Sequence, residues 1–279
     1  MIVIAYKPGQ LANQLFLFAK FIAYSYRHHC RVLNPAFHDY AAYFETTANQ
    51  RIPSSAGKNG SSSPALAKLL YVVMSYTGRI GHRLKLNKGF FSVLYLDWKD
   101  HFDLDHDSTL KRAGLHLIRG WEFDAEDLLR SYKEQIRTFF RPEEKLQAAI
   151  DHFAVDRSGI LIGVHIRQGD YRSFEGGKYY FETEQYAVWM KSLKRRYPTV
   201  HFLVCTNNIE LTQTDFEGLD VTFAPGHELI DLYLLSTCTY IMGPPSTYSL
   251  WASYYGSVPL YQIKTASHEP DWSDFQVVR

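Results

Sequence analysis

Short apolar runs that alternate with segments of helical period constrain the fold of this chain more than any other feature. The pattern is most regular after residue 154, where each apolar run has the length of one strand. Strands separated by helices pair in parallel, with helices on both faces of the sheet. The predicted strands are 160–166, 201–206, 221–223, 240–242 and 258–261, and the predicted helices are 182–197, 228–236 and 247–255. The sequence therefore predicts an α/β fold.

The first of these apolar runs ends in charged and polar residues. His165, Arg167 and Asp170 come at or just after its carboxyl end. Open α/β sheets bind ligands in the crevice beyond the carboxyl ends of their strands. Two interpretations are open from these residues alone. Arg167 faces an anionic ligand, or it forms a surface ion pair with Asp170 that contributes little to stability.

Two other predicted strands end in polar residues at the same edge of the sheet. Asn207 follows the second predicted strand, and Ser246, Thr247 and Ser249 follow the fourth, at the start of a helix. Hydroxyl and backbone N–H groups at a helix N-terminus favour a phosphate. The alternative is that Ser246 or Thr247 only caps the helix. Together with Arg167 this turn predicts a pyrophosphate site, and the Walker pattern of P-loop nucleotidases is absent.

The first half of the chain is less regular. It opens with a predicted strand at 2–5 and a helix at 11–26, the start of a βα unit. A stretch rich in Ser, Gly, Asn and Pro, 46–64, is predicted to be a mobile loop. The other predicted elements are a helix at 65–76, strands at 91–96 and 115–119, and helices at 124–140 and 143–153. We place a domain boundary at the end of the last of these helices.

Composition excludes several classes of protein. The 279 residues include 30 Lys and Arg and 29 Asp and Glu, so the formal net charge is +1. The chain therefore lacks the overall basic charge that would indicate nucleic-acid binding. The three cysteines lie far apart without a CxxC spacing, which predicts free thiols rather than a zinc site. The start of the chain lacks the features of a signal peptide, and the longest apolar stretches are too short to cross a bilayer. We therefore expect a soluble, cytoplasmic protein without an integral membrane segment.

An ordered set of motifs resembles a known enzyme family. The motifs are QLANQLF at 10–16, GWEF at 120–123, IRTFF at 136–140, HIRQGDY at 165–171, DLYLLS at 231–236 and STYSLW at 246–251. Each is weak alone, but their order and intervals over nearly the whole chain resemble the inverting fucosyltransferases. The resemblance is greatest to the α-1,2-fucosyltransferase family and more distant to the α-1,6- and protein O-fucosyltransferases.

The resemblance implies a GT-B-like fold, in which two Rossmann-like domains face each other across a cleft. The first domain, 1–153, would meet a glycan acceptor. The second, 154–279, would bind the nucleotide sugar, and its C-terminal tail can pack back on the first domain. Carried over by position, Arg167 would contact the β-phosphate and stabilise the departing GDP. The other implied donor-binding residues are His165 and Asp231 for the guanine or its loop, Ser246, Thr247 and Ser249 for the phosphates, and Asn13 for the sugar or diphosphate. Asn207 is added to the donor site from its position at the neighbouring strand end.

The implied reaction transfers fucose from GDP-fucose to a glycan hydroxyl, with α-1,2 linkage and inversion at the anomeric carbon. No metal ion or other cofactor is implied, because a guanidinium stabilises the leaving diphosphate. Asp103 and Asp105 have the spacing of a metal-binding pair, but they lie in a polar run that we interpret as a surface loop. The family usually has glycine at the position of Ala12 and a second arginine at that of Gln168. These departures leave two alternatives open: another GDP-sugar as donor, or an inactive relative that binds a nucleotide sugar or glycan.

An inverting transfer also needs a base within hydrogen-bond reach of the acceptor hydroxyl. We predict Arg167, His165 and Asp170 as catalytic residues, although Asp170 can instead hold the rotamer of Arg167. The sequence does not separate the candidates for the base, which are Asp170, Glu175, Glu122 and His38.

Overall fold

A computed structural model describes residues 1–56, 62–85, 90–97 and 100–278, together with the backbone of 87–88. The chain divides into two compact units, Met1–Lys145 and Leu146–Arg279. The division lies inside a helix, Glu144–Asp151, at whose end the sequence places the domain boundary. Part of the loop predicted at 46–64 lies outside the described residues.

The first unit is built on a mostly parallel sheet. Its strands are β1 (Ile2–Ile4), β2 (Val32–Leu33), β3 (Asn87–Lys88), β4 (Phe91–Tyr95), β5 (Phe102–Asp103), β6 (Leu115–Arg119) and β7 (Phe123–Asp124). Its helices are α1 (Leu11–His28), α2 (Glu45–Ala48), α3 (Pro64–Arg83), α4 (Glu126–Ser131), α5 (Lys133–Phe139) and α6 (Glu144–Asp151), the last of which contains the division. The sheet has the order β2-β1-β6-β4-β3, in which only the β3–β4 pair is antiparallel, and β5 pairs with β7 separately.

Aromatic packing holds α1 in this unit. Eleven of its 18 residues are buried, including the consecutive residues 21–24, so most sides of the helix are covered. The ring of Phe18 lies 5.3 Å from those of Phe37 and Phe139, and 5.8 Å from that of Phe140. Such tilted and edge-to-face contacts stabilise a core beyond the burial of area alone.

In its described residues the second unit contains five parallel strands and, after the end of α6, three further α-helices. The strands are β8 (Ile160–Ile166), β9 (Val200–Thr206), β10 (Val221–Phe223), β11 (Tyr240–Gly243) and β12 (Leu260–Gln262), in the order β10-β9-β8-β11-β12. The helices are α7 (Thr183–Arg196), α8 (Glu228–Leu235) and α9 (Thr247–Gly256). The predicted α/β class with two Rossmann-like units is confirmed.

Two features differ from the sequence interpretation or extend it. The helix predicted over 124–140 is two helices, because Tyr132 has φ −115° and ψ 23°, outside the helical region. The C-terminal tail, expected to be able to pack on the first domain, here buries Phe275 in the core of the second unit, 5.3 Å from the ring of Trp272. The three cysteines are free thiols, as expected. Within the described residues, no helix combines the length and apolarity needed to cross a membrane.

Candidate functional site

The second sheet places three polar strand ends side by side. From the central strand β8 the chain proceeds to β9 on one side, whereas β11 pairs with β8 on the other side. The strand order therefore reverses at the carboxyl end of β8, and such a switch point is where open α/β sheets bind ligands. The loops that follow β8, β9 and β11 carry most of the site residues predicted from the sequence.

Arg167 is anchored at this switch point by Asp170. Its Nε donates to Oδ1 of Asp170 at 3.0 Å and its Nη2 to Oδ2 at 2.7 Å. The guanidinium also lies over the ring of Tyr171, 4.8 Å from the centroid. The Arg167 side chain is 19% exposed, so a ligand can still reach it. Hydrogen bonding from Arg167 lowers the pKa of the Asp170 carboxyl, so this carboxylate stays ionised and orients the guanidinium.

The turn between β11 and α9 is fixed beside Arg167. The Tyr171 hydroxyl donates to the carbonyl of Pro245 at 2.6 Å, which ties the loop after β8 to this turn. The Ser246 hydroxyl accepts from the backbone N–H of Tyr248 at 3.2 Å and from Nη1 of Arg167 at 3.4 Å. Ser246 is therefore the N-cap of α9 and also a neighbour of the arginine, so the capping and ligand-site interpretations are compatible.

His165 lies beneath this turn and is neutral. A Cβ atom at Gly243 would lie 2.8 Å from the His165 carbonyl, so glycine allows the two strands to meet here. The His165 ring packs on that of Tyr248, with centroids 5.0 Å apart, and its Nδ1 is buried without a hydrogen-bond partner in the described part of the protein. Burial, with a smaller effect of Arg167, lowers the pKa of His165 to about 3.

Asp231 is a buried carboxyl at the start of α8. It is 5% exposed, and its Oδ1 accepts from the backbone N–H of Gly226 at 3.2 Å. Burial raises its pKa to about 6, although backbone hydrogen bonds from Gly226 and His227 act in the other direction. The hydroxyl of Tyr248 donates to the carbonyl of Glu228, which joins the starts of α8 and α9. Carboxyl groups whose pKa is raised by burial are typical of functional sites.

Gln168 joins three segments around the site. Its side-chain nitrogen donates to the carbonyl of Phe181 at 3.1 Å and to the hydroxyl of Thr183 at 3.2 Å. Its side-chain oxygen accepts from Nδ2 of Asn208 at 2.8 Å, and its backbone N–H donates to Oδ1 of Asn207 at 3.1 Å. Gln168 is 4% exposed, so it acts as a structural link between the loops after β8 and β9 and the start of α7.

The structure distinguishes among the remaining predicted residues. Thr247 begins α9 and is partly exposed, and Asn207 is exposed at the end of β9. Ser249 is fully buried, and its hydroxyl donates to the carbonyl of Ser246 at 3.2 Å. It therefore supports the turn, and its expected contact with phosphate stays a prediction. Asn13 lies on α1 of the first unit, whereas the other predicted donor-binding residues lie in the second unit.

Sequence reasoning missed two aromatic residues of the site. Tyr171 and Tyr248 fall inside the motifs, but they were not assigned roles. Their ring contacts with Arg167 and His165, and their hydroxyl bonds to neighbouring loops, depend on tertiary packing. The available signal was a tyrosine adjacent to a polar strand end or helix start in each motif.

The structure also tests the aspartate pair at 103 and 105. Asp105 pairs with Arg27 and His28, both at 2.9 Å, and Asp103 accepts hydrogen bonds from its own loop. In the part of the chain that the structure describes, no group of three or more His, Cys, Asp or Glu residues has the arrangement of a metal site. The groups beside Arg167 are the Asp170 carboxylate and the N-terminus of α9.

Several solved structures share the fold. An Arabidopsis thaliana FUT1 mutant in complex with GDP has a TM-score of 0.60 at 13% identity, covering 99% of this chain and 73% of that one. The NodZ α-1,6-fucosyltransferase soaked with GDP-fucose, an enzyme known from Bradyrhizobium, has a TM-score of 0.56 at 19% identity, with 98% and 96% covered. POFUT1 in complex with GDP-fucose has a TM-score of 0.55 at 9% identity, with 92% and 94% covered. At these identities the likeness shows the fold, and the predicted GT-B-like class agrees with it.

Sequence comparison identifies the family. No curated protein sequence matches the chain. The model of glycosyl transferase family 11 matches residues 109–269, which is more than half of the chain and contains every predicted site residue of the second unit. The enzyme class expected from the motifs is thereby confirmed: the chain belongs to glycosyl transferase family 11.

Proposed function

We propose that this protein transfers fucose from GDP-fucose to a glycan hydroxyl, with α-1,2 linkage, inversion at the anomeric carbon and no metal ion. The observation that carries the proposal is the position of Arg167. Two hydrogen bonds to Asp170 hold it at the switch point of the second sheet, beside the N-terminus of α9. The family match and the two fucosyltransferase structures that contain or were soaked with GDP-fucose support this donor.

Arg167 and α9 stabilise the leaving group. When the bond between sugar and phosphate breaks, negative charge develops on the β-phosphate of GDP. A guanidinium already held by Asp170 needs little reorganisation to meet that charge. The start of α9, with Ser246 and Thr247, adds hydroxyl groups and the positive end of the helix dipole. Together these groups supply the stabilisation that a divalent cation supplies in other transferases.

Asp231 recognises the guanine. Guanine presents two N–H donors on one edge, and a carboxylate accepts from both. A buried carboxyl whose pKa is about 6 gains from such donors, because they favour its charged form. His165 and Tyr248 pack against each other beside this region. We assign Asn207 and Asn13 to donor binding from their positions in the sequence.

His38 is the base that we propose for the acceptor hydroxyl. Its ring is nearly buried, and Nδ1 lies 2.7 Å from Oδ1 of Asp39, which also pairs with Lys7. Asp39 therefore holds the ring with Nε2 as the basic atom. Burial lowers the pKa of His38, so the ring is neutral and able to accept a proton at pH 7. Asp170 is a positioning residue in this scheme, because its carboxylate is bound to Arg167.

A donor and acceptor panel tests the proposal. The purified chain is incubated with GDP-fucose, GDP-mannose or a UDP-sugar and a set of glycans, and GDP or UDP release and product linkage are measured. We expect GDP release from GDP-fucose that depends on the acceptor, with the β-configured donor converted to an α-1,2-linked product. Transfer from another GDP-sugar alone would overturn the choice of fucose. Binding of GDP-fucose without transfer to any acceptor would overturn the enzymatic role.

A further inference from the structure

Helix α3 of the first unit carries an exposed apolar stripe. Its members are 40% to 64% exposed and recur every three to four residues, so they lie on one side of the helix. We call this stripe the α3 outer face; it consists of Leu69, Val72, Val73, Tyr76, Ile80 and, just after the helix, Leu84. A contiguous row of large exposed apolar side chains is unusual for a surface that only meets water.

Small residues on the opposite side of α3 fix this orientation. Ser75, Gly78 and Gly81 are buried against the sheet. A Cβ atom at Gly78 would lie 2.7 Å from Cδ of Arg119, and one at Gly81 would lie 2.7 Å from Cγ2 of Val93. The sheet therefore has no room for the larger side chains of the outer face, and α3 cannot rotate to bury them.

Arg119 fixes the position of α3 through hydrogen bonds. Its Nη1 donates to the carbonyl of Ser75 at 3.1 Å, to the hydroxyl of Ser75 at 2.7 Å, and to the carbonyl of Ala5 at 2.9 Å. Because Arg119 is nearly buried, these bonds are shielded from water. The outward direction of the apolar stripe is thus a fixed property of the fold.

The same segment is strongly basic. Residues 46–96 contain seven Lys and Arg and no Asp or Glu, in a chain whose net charge is only +1. Four of these cations are exposed on or directly after α3: Lys68, Arg79, Arg83 and Lys85. Positive charge therefore borders the α3 outer face, and residues 46–96 contribute no acidic side chain that could neutralise it.

We propose that the α3 outer face binds the surface of an anionic lipid bilayer. A helix with an apolar stripe and flanking cations lies in the membrane interface, where the side chains of the stripe enter the lipid and the cations meet anionic headgroups. A second copy of the chain fits less well, because a two-fold contact through this face would oppose the cations of one α3 to those of the other. The proposal is independent of the donor and acceptor assigned above.

Vesicle binding tests the proposal. The full chain is sedimented with vesicles of pure phosphatidylcholine and with vesicles containing about one third phosphatidylglycerol. We expect binding to the anionic vesicles at least about tenfold tighter than to the neutral ones, and loss of much of this difference in about 0.5 M NaCl. Equal binding to both kinds of vesicle, or no binding to either, would overturn the proposal.

Two pairs of variants separate the contributions. Val73→Ser with Ile80→Ser removes apolar groups, and Arg79→Gln with Arg83→Gln removes cations; each double variant should weaken anionic binding by about tenfold or more. The matched controls are Val188→Ser with Ile209→Ser, and Lys191→Gln with Arg195→Gln, which change exposed residues of the second unit and should bind as the unchanged protein does. Unfolding curves check that all variants fold.

Three results would contradict the proposal. The α3 variants would bind as tightly as the unchanged protein, or the controls would lose as much affinity as the α3 variants. The third result is that the protein does not bind vesicles and instead forms a concentration-dependent dimer. Loss of this dimer in Val73→Ser with Ile80→Ser would assign the α3 outer face to a contact with a second copy of the chain.

Discussion

Arg167 and Asp170 are joined by two parallel hydrogen bonds of 3.0 and 2.7 Å. The carboxylate engages Nε and Nη2, and this fixes the plane of the guanidinium. The partly exposed pair also lowers the pKa of Asp170, which remains a carboxylate in neutral solution. The ion pair expected as one alternative for these residues thus exists, and it orients the arginine that we assign to the leaving group.

Arg167→Ala should greatly reduce turnover without unfolding the protein. Loss of one preorganised charged donor lowers kcat by roughly a hundredfold to a thousandfold. Steady-state GDP release measures this, and thermal unfolding checks the fold. Arg172→Ala is the control, because Arg172 lies in the same loop and contacts the ring of Tyr180. Normal turnover in Arg167→Ala would remove the central assignment.

Gln168→Ala should destabilise the protein by about 1 to 3 kcal/mol, because it leaves buried partners without hydrogen bonds. Gln168→Arg, which restores the residue usual in the family, should also destabilise it, since a guanidinium cannot accept from Asn208. Denaturant unfolding measures both, with Gln147→Ala on the surface of α6 as control. Higher stability of Gln168→Arg, together with tighter donor binding, would show that Gln168 is not the structural link described above.

Asp231→Asn should change the pH dependence of stability. The folded carboxyl has a pKa of about 6, above the value near 4 of an unfolded chain, so the folded state binds the proton more tightly. Stability of the unchanged protein therefore falls as pH rises from about 4 to about 6. The variant avoids this loss and should be more stable at pH 7 by roughly 2 to 3 kcal/mol, measured by denaturant unfolding across that range.

The same variant should bind GDP more weakly. An amide offers one acceptor and two donors where guanine needs acceptors, so affinity at pH 7 should fall about tenfold or more. In the unchanged protein, GDP affinity should rise with pH through about 6, because the ionised carboxyl is the binding form. Calorimetric titration at several pH values measures both effects. Unaltered GDP binding in Asp231→Asn would exclude guanine recognition by this carboxyl.

His38→Ala should lower kcat for transfer by roughly a hundredfold or more and leave GDP binding unchanged, because a general base acts on the acceptor hydroxyl. Transfer rates and GDP titration measure the two properties. His152→Ala, at an exposed histidine after α6, is the control. Transfer at the normal rate by His38→Ala would exclude His38 and leave Asp170, Glu175 and Glu122, the other candidates from the sequence.

Chelator treatment should leave activity unchanged, because we propose that Arg167 and the N-terminus of α9 stabilise the negative charge of the diphosphate. Transfer is compared before and after exhaustive treatment with EDTA, and again after addition of Mg²⁺ or Mn²⁺. Activity that disappears with the chelator and returns with a divalent ion would overturn the arginine-centred scheme.

The sequence predicted the site of Arg167 because its signal is local and periodic. Strand β8 has the predicted bounds, 160–166, and parallel pairing brings the polar ends of β8, β9 and β11 together. The sequence did not predict that Ser249 is a fully buried helix residue. The sequence also did not predict the structural role of Gln168, because its hydrogen-bond partners lie up to 40 residues away in the chain.

The sequence by itself determined the α/β alternation, the charged strand ends and the ordered motifs of the family, because these follow from residue spacing along the chain. Tertiary structure decided which of those side chains bind one another. Contacts between distant segments place Ser246 beside Arg167 and direct the apolar face of α3 outward. They also bury His165 and Asp231, which lowers the pKa of the first and raises that of the second. Burial and hydrogen bonding are properties of the folded neighbourhood, and no local pattern encodes them.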